Sequence, residues 1–498
     1  MFYTSTRDSN VHVTSAEVIT RGISAEGGLF VPEDIPRLSM DDFQKLSKAD
    51  YIERAKAVLP LYLTDFTPGE IDECVNGAYS GGKFSDPKIA PLVELYKGVE
   101  VLELWKGPTC AFKDMALQLL PQLLTTSANK TVPGKKIVIL VATSGDTGKA
   151  ALEGFKNVEG TRILVFYPNE GVSPMQKLQM TTQEGGNVSV CAIEGNFDDA
   201  QNGVKAIFSD KTVASRLNGE NMMFSSANSI NWGRLVPQII YYISAYCDLL
   251  AKGSIKPGDK INIVVPTGNF GNILAAYYAM EMGMPVNKLI CASNANNVLT
   301  DFLESGTYNR NRSFFTTASP SMDILISSNL ERLLFLLSGK DAGYIKKLMA
   351  DLSKTGIYEV KTEMLAKIKD IFAAGCCDDM ETKKTIAETF SERNYLCDTH
   401  TAVGVNVYER YRAKTNDFTP TVIASTASPF KFCASVISAI KPSDKQENDE
   451  FALLRELENL TGETCPPQLA GLKDKPVRFS GLCGRTGMES VVLDMLNL

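Results

Sequence analysis

The chain has 498 residues, 44% hydrophobic and 22% charged, enough to bury a large core; disorder is excluded as the default, and length sets a prior of about three domains. A formal net charge of -7 argues against a nucleic-acid partner, because phosphate-backbone binding needs a basic face that the charge pattern does not offer. No secretory signal or membrane-length apolar run is visible, the 11 cysteines form no CxxC pair, the 2 histidines are too few for a histidine-clustered metal site, and no GxSxG occurs, so a cytoplasmic protein with free thiols is expected.

The first ninety or so residues carry amphipathic stretches such as 41–63 and end in a loop over residues 80–87, where we place a domain boundary. Next comes Gly107-Pro108-Thr109-Cys110-Ala111-Phe112-Lys113-Asp114, in which a lysine follows small and aromatic residues. A lysine that is partly desolvated loses affinity for its proton and can form a Schiff base. The alternative for a lysine in general is a surface residue paired with a neighbour such as Asp114.

Residues 137–142 form an apolar, β-branched run that leads into Thr143-Ser144-Gly145-Asp146-Thr147-Gly148-Lys149 and a helical pattern ending at Phe155. The loop is not a nucleotide P-loop: Thr143 stands where the first glycine belongs and Ala150 where a magnesium-binding hydroxyl belongs. Its hydroxyls, carboxylate and N–H groups suit a carboxylate or a ring hydroxyl, or else a helix N-cap by Asp146 or Ser144. Residues 161–168 and 187–193 read as further strands. Strand 261–265 then feeds Gly268-Asn269-Phe270-Gly271-Asn272, which opens a helix stopping at Gly283, an arrangement that favours a phosphate through backbone N–H groups and the helix dipole. The plain alternative is a tight turn without ligand. It is not a dinucleotide fingerprint, since Phe270 occupies a required glycine position. After Met322, Ile324, Leu325, Leu330, Leu333, Leu334 and Leu337, then Ile345, Leu348, Met349 and Leu352, fall at helical spacing and predict a helical insertion over about 322–395 that packs the core. Residues 441–450 read as a short polar loop. Strands alternating with helices predict parallel sheets covered on both faces.

Six motifs, in order, resemble the threonine synthase family of fold-type II pyridoxal-phosphate enzymes: residues 25–32, the run ending in Lys113-Asp114, residues 142–148, residues 225–231, the loop 268–272, and Thr426-Ala427-Ser428-Pro429-Phe430-Lys431-Phe432. The resemblance implies a tryptophan synthase β-like fold with two parallel-sheet α/β domains, an N-terminal domain over 1–90, a large cofactor domain over 91–112 and 236–498 carrying the insertion, and a small mobile domain over 113–235. It implies pyridoxal 5′-phosphate as a Schiff base on Lys113, its phosphate on Gly268, Asn269, Phe270, Gly271 and Asn272, Asp146 near the ring hydroxyl, and Thr426 facing the pyridine nitrogen. Thr109, Ser144, Thr147, Ser226, Asn228, Ser229, Asn231 and Arg234 would receive the substrate's carboxylate and phosphate, Arg234 because its planar fork bonds two oxygens at once; capping or pairing within the fold is the alternative for Asn231 and Arg234. Ser428 departs from the histidine of several bacterial relatives. Lys431 suits either a phosphate or a structural ion pair, and His400 lies in an Asp-x-His-x-Ala run at an expected helix start.

The family reaction converts O-phospho-L-homoserine and water into L-threonine and phosphate, the work of a carbon–oxygen lyase acting on phosphates, and the expected assembly is a monomer or homodimer. A hydroxy-amino-acid dehydratase would use the same lysine and phosphate loop without a second phosphate site. A catalytically silent relative would bind cofactor or a phosphorylated metabolite only.

Overall fold

A computed structural model describes residues 1–143, 145–170, 172–442 and 449–498. Ser144 of the expected substrate residues, and 443–448 of the expected polar loop, lie outside the described residues.

Among the described residues, two large sheets organise the chain. The first has six strands in the order Phe372–Cys376, Val286–Ser293, Ile261–Pro266, Thr421–Ser425, Val99–Glu103, Leu92–Tyr96. All its pairs are parallel except the last, a hairpin at one edge. The second has five strands, all parallel, in the order Leu482–Gly484, Val188–Glu194, Thr161–Pro168, Lys136–Ala142, Met222–Ser225. Ile261–Pro266 is buried along its whole length, which explains why its sequence is a continuous apolar run and not an alternation. The N-terminal stretch forms a small antiparallel sheet in the order Asp8–Val13, Tyr3–Ser5, Phe30–Pro32, followed by the helices Met40–Leu46, Tyr51–Tyr62 and Pro68–Tyr79.

The helix Trp232–Lys252 is the axle of the molecule, a 21-residue element buried on nearly every side. At its start Trp232 packs edge-on against Tyr3, Tyr62 and Tyr278, with ring centroids 5.5, 5.5 and 5.3 Å away. These contacts fasten the N-terminal unit to the large sheet, each pair contributing about 0.5–1.5 kcal/mol beyond its buried area.

Two sequence expectations need correction. The stretch 322–395 is not purely helical: between the helices Thr362–Ile371 and Asp379–Arg393 it supplies Phe372–Cys376, the edge strand of the large sheet, alongside Val286–Ser293. Alanine and glycine at three of its five positions leave no β-branched signature to read. The end of the chain also departs from the large domain, expected over 91–112 and 236–498. Leu482–Gly484 pairs with Val188–Glu194 and the helix Met488–Leu496 packs with the five-stranded sheet, because that sheet's open edge and apolar face are what these residues cover. No helix among the described residues is long and apolar enough to cross a membrane.

Candidate active site

Lys113 is held by a turn whose backbone is tied down on both sides. Phe112 N–H donates to the Thr426 carbonyl (2.8 Å), Ser428 N–H donates to the Cys110 carbonyl (3.1 Å), and Ala111 bridges to Ala427. Cys110 takes a left-handed conformation (φ 58°), uncommon for a residue with a side chain and maintained here by those flanking bonds. Thr109 is locked in the same turn: its N–H and hydroxyl donate to the Asp114 carboxylate at 2.8 and 2.7 Å. The turn opens the short helix Lys113–Leu117 and presents the Lys113 amine to a buried polar centre.

There Lys113 Nζ donates to Ser321 Oγ (3.2 Å) and forms an ion pair with Asp146 at 3.7 Å, beyond hydrogen-bond range. Burial pulls Lys113 below the ordinary lysine value, Asp146 opposes the change, and the charges of Lys431 and Arg234 add to it. Burial by itself would raise Asp146, but Lys431 and then Lys113 outweigh it and hold the carboxyl well below the usual carboxylate range. Lys431 Nζ lies 2.6 Å from Asp146 and donates to the Thr109 carbonyl at 3.0 Å, while Gln176 donates to Asp146 at 2.9 Å. Of the two readings open for Asp146, N-cap or ligand-facing carboxylate, the geometry excludes the cap. It is the first residue of the helix Asp146–Phe155, and Thr143 Oγ1 does the capping by accepting from the N–H groups of Gly145 (3.0 Å) and Gly148 (2.9 Å). Thr147 is half-buried in that helix's first turn.

The loop 268–272 meets the same centre through Ser321. A Cβ on Gly268 would fall 2.7 Å from the Ser321 carbonyl, so only glycine lets the two segments touch. Phe270, left-handed at φ 62°, turns the chain into the helix Gly271–Glu281, whose first N–H groups have no partner within the helix. Asn269 is steadied by Asn329, whose N–H and side-chain amide both donate to its carbonyl at 3.1 Å. Asn272 Oδ1 accepts from Tyr241 (2.6 Å) and Tyr242 (2.5 Å), which aims its Nδ2, buried and without a partner among the described residues, away from them.

The stretch 226–234 divides into two parts. Arg234 is buried, donates from NH1 to the Ala227 carbonyl (2.5 Å), and leaves Nε without a partner among the described residues; burial lowers its pKa to about 10. Asn231 is structural in its visible bonds: it caps Trp232–Lys252 through Gly233 N–H (2.9 Å) and donates to the carbonyls of Ile19 (3.0 Å) and Ser226 (2.8 Å). Ser226 Oγ accepts from Asn228 N–H (3.1 Å), and Asn228 and Ser229 are half-buried in the turn between. Ser428 caps the turn Pro429–Phe432, with its hydroxyl accepting from Phe430 N–H at 3.3 Å.

Thus Lys113, Asp146, Thr426 and Gly268 converge with Lys431, and Arg234 is near enough to act on Lys113 through its charge. Ser321 and Gln176 are site residues that motif reading did not find; neither has a sequence signal, since each arrives from a distant segment. Three family models match the chain in order: threonine synthase N terminus over residues 2–79, pyridoxal-phosphate dependent enzyme over 101–424, and threonine synthase, C-terminal, over 401–488. The chain belongs to the threonine synthase family. It is 40% identical over 448 residues to threonine synthase-like 1 of Homo sapiens, covering 88% of this chain and 59% of that protein's length. It is 38% identical over 440 residues to threonine synthase of Pseudomonas aeruginosa, covering 88% of this chain and 90% of that one. A crystal structure of pyridoxal-phosphate-bound threonine synthase from Brucella melitensis superposes with a TM-score of 0.88 at 36% identity, over 99% of both chains. The fold is therefore that of fold-type II pyridoxal-phosphate enzymes, and pyridoxal phosphate is the cofactor.

The side chains present fit that group. A buried amine with lowered proton affinity suits condensation with an aldehyde, and the helix start beside Gly268, with Asn272 Nδ2 free of a partner among the described residues, offers donors to a phosphate.

Proposed function

We propose that this chain converts O-phospho-L-homoserine and water into L-threonine and phosphate. The observation that carries the reading is a buried amine of lowered proton affinity, Lys113, near two separate anion-receiving places. One is the helix start at residues 268–272; the other is Arg234, whose Nε has no partner among the described residues. A substrate with its own phosphate needs the second place in addition to the cofactor's, and a dehydratase does not.

In this reading residues 268–272 would hold the cofactor phosphate, Lys113 would bind its aldehyde, and Asp146 and Thr426 would hold its ring. The bound cofactor supplies an electron sink for charge developing on the substrate's carbon chain. Lys113, free once substrate has bound, moves the Cα proton and then takes one from Cβ; phosphate departs from Cγ, the lysine returns a proton to Cγ, water adds its hydroxyl at Cβ and gives its proton to the released phosphate, and a proton returns to Cα. Its lowered proton affinity suits those transfers, because a larger share of the amine is free base near neutral pH. Arg234, with Thr147, Asn228, Ser229, Ser226 and Ser144, receives the substrate's phosphate and carboxylate, while Thr109, whose N–H and hydroxyl both donate to Asp114, holds the lysine turn. Asn231 contributes by holding the 226–234 turn in shape. The unit built on the five-stranded sheet carries Asp146 and Gln176 and is the part that closes over substrate, excluding water until elimination is complete. A reducing compartment, the cytoplasm, suits the 11 cysteines, all of which are free thiols.

The test is to supply O-phospho-L-homoserine to the purified protein and measure threonine and phosphate, with Lys113→Ala as control and the visible spectrum recorded beforehand. Equal yields of both products, with a cofactor absorbance that the variant lacks, are expected. A cofactor band without threonine would overturn the reading of the reaction and leave the fold intact.

A further inference from the structure

Among the described residues, Ser321 is the one hydroxyl within hydrogen-bond distance of the Lys113 amine, 3.2 Å away. It lies in the turn Pro320–Met322, far from Lys113 in sequence, and something must fix that turn to ångström precision. Three contacts do so. The Ser319 carbonyl accepts from Asn294 Nδ2 at 3.3 Å, the Ser321 carbonyl abuts Gly268, and the Ser321 N–H donates to His400 Nε2 at 3.2 Å.

The last contact depends on one tautomer of the imidazole, and the chain supplies it. Asp398 is the N-cap of the helix Thr399–Thr415; its carboxylate accepts from the N–H groups of His400 (2.9 Å) and Thr401 (3.1 Å) and lies 2.7 Å from His400 Nδ1. A carboxylate at Nδ1 keeps the proton there and leaves the lone pair on Nε2, facing Ser321. Asp398 is fully buried, His400 is 2% exposed, and Phe432 packs its ring 5.0 Å from the imidazole, so the orientation has little freedom. An Asp-x-His spacing at a helix start thereby does two tasks at once: it caps the helix and aims a hydrogen-bond acceptor at the turn that touches the reactive lysine.

We propose that Ser321 is the seat of the Lys113 amine during its proton transfers, and that His400, oriented by Asp398, is the positioning residue that keeps Ser321 in place. The inference rests on Lys113 being the proton carrier of the reaction proposed above. The hydroxyl accepts one N–H of the free amine, and its direction holds the lone pair toward the substrate carbons; Asp146, which would draw the amine aside as an ammonium, is kept at 3.7 Å.

The test uses Ser321→Ala, His400→Ala, the double variant, and His400→Gln, which retains an acceptor near the Nε2 position. In the loaded enzyme each alanine variant is expected to lower kcat about tenfold with KM for O-phospho-L-homoserine changed less than about twofold. The double variant is expected to be no worse than either single one, because His400 acts through Ser321. His400→Gln is expected to restore most of kcat. A second measurement needs no substrate: the rate at which cofactor-free protein captures pyridoxal phosphate, followed by visible absorbance, should fall equally in both single variants and recover with glutamine. Losses that multiply in the double variant, or a glutamine variant as slow as alanine, would overturn the proposal. If wild-type protein makes no threonine, the capture rates still decide: equal rates in all chains reject the seat, and the expected pattern supports it while the reaction is reassigned. Should His400→Ala fail to fold, Ser321→Ala with an unchanged capture rate would be sufficient to reject it.

Discussion

Gly154→Ala is a one-carbon change that should disable the site while leaving the fold nearly as stable. Gly154 lies near the end of the helix Asp146–Phe155, and a Cβ there would fall 1.9 Å from the Leu117 carbonyl oxygen and 2.8 Å from its carbon. Ordinary carbon–oxygen approach is about 3.3 Å, so the two helices must part by roughly 1.4 Å. Leu117 ends the helix that Lys113 begins, and Asp146 begins the helix that carries Gly154, so the separation passes directly into the Lys113–Asp146 geometry. Overpacking of this kind costs about 1–3 kcal/mol, and alanine's better helix propensity returns about 1 kcal/mol, leaving a net loss of roughly 0–2 kcal/mol. A displacement of about 1 Å at reacting groups costs on the order of 100-fold in rate. Steady-state assays with O-phospho-L-homoserine and urea unfolding of the same preparation should therefore separate: kcat/KM falls by about 10- to 100-fold while the urea midpoint moves little. Wild-type activity, or stability raised by the full propensity of alanine, would show that the helices yield without disturbing the lysine and would refute the reasoning.

Asp114→Asn should change the pH dependence of stability. Burial pushes the Asp114 carboxyl up to about 6 against the hydrogen bonds from Thr109. The unfolded value is about 4, so the folded chain binds this proton more tightly and stability falls as pH rises from about 4 to 6. The asparagine variant lacks that fall, and urea midpoints of both proteins across that range check it; a difference independent of pH would reject it. Arg332→Met should destabilise the chain by about 2–4 kcal/mol, because it strips two buried acceptors and one partly buried acceptor of their donor. Those acceptors are the carbonyls of Phe30 (2.9 Å) and Ile230 (2.5 Å) and Asn329 Oδ1 (2.5 Å). Since Asn329 also steadies Asn269, weaker retention of pyridoxal phosphate on dialysis should accompany the loss, and an unchanged urea midpoint would refute the role.

Several parts of this molecule are legible locally. The central strands announce themselves because a strand covered on both faces must be apolar throughout, as Ile261–Pro266 is. The loop 268–272 is readable because glycine is required where backbones meet, and the lysine because its neighbours are small and aromatic. Other parts carry no local mark. Ser321, Gln176 and the acceptor nitrogen of His400 become meaningful only when segments remote in sequence are brought within hydrogen-bond distance. The hydrogen-bonding capacity of Asn231 and Thr109 looks free in sequence and is engaged by Ile19, Ser226 and Asp114 once the chain folds.

The sequence by itself determined the sheet-forming runs, the glycine turns and the family motifs, since each depends on residues within a few positions of one another. Tertiary structure alone decided that Phe372–Cys376 would complete one sheet and Leu482–Gly484 the other, and which hydroxyl would face Lys113. Edge pairing and buried hydrogen bonds depend on which surfaces and donors remain unsatisfied after the rest of the chain has packed, a quantity that no local stretch encodes.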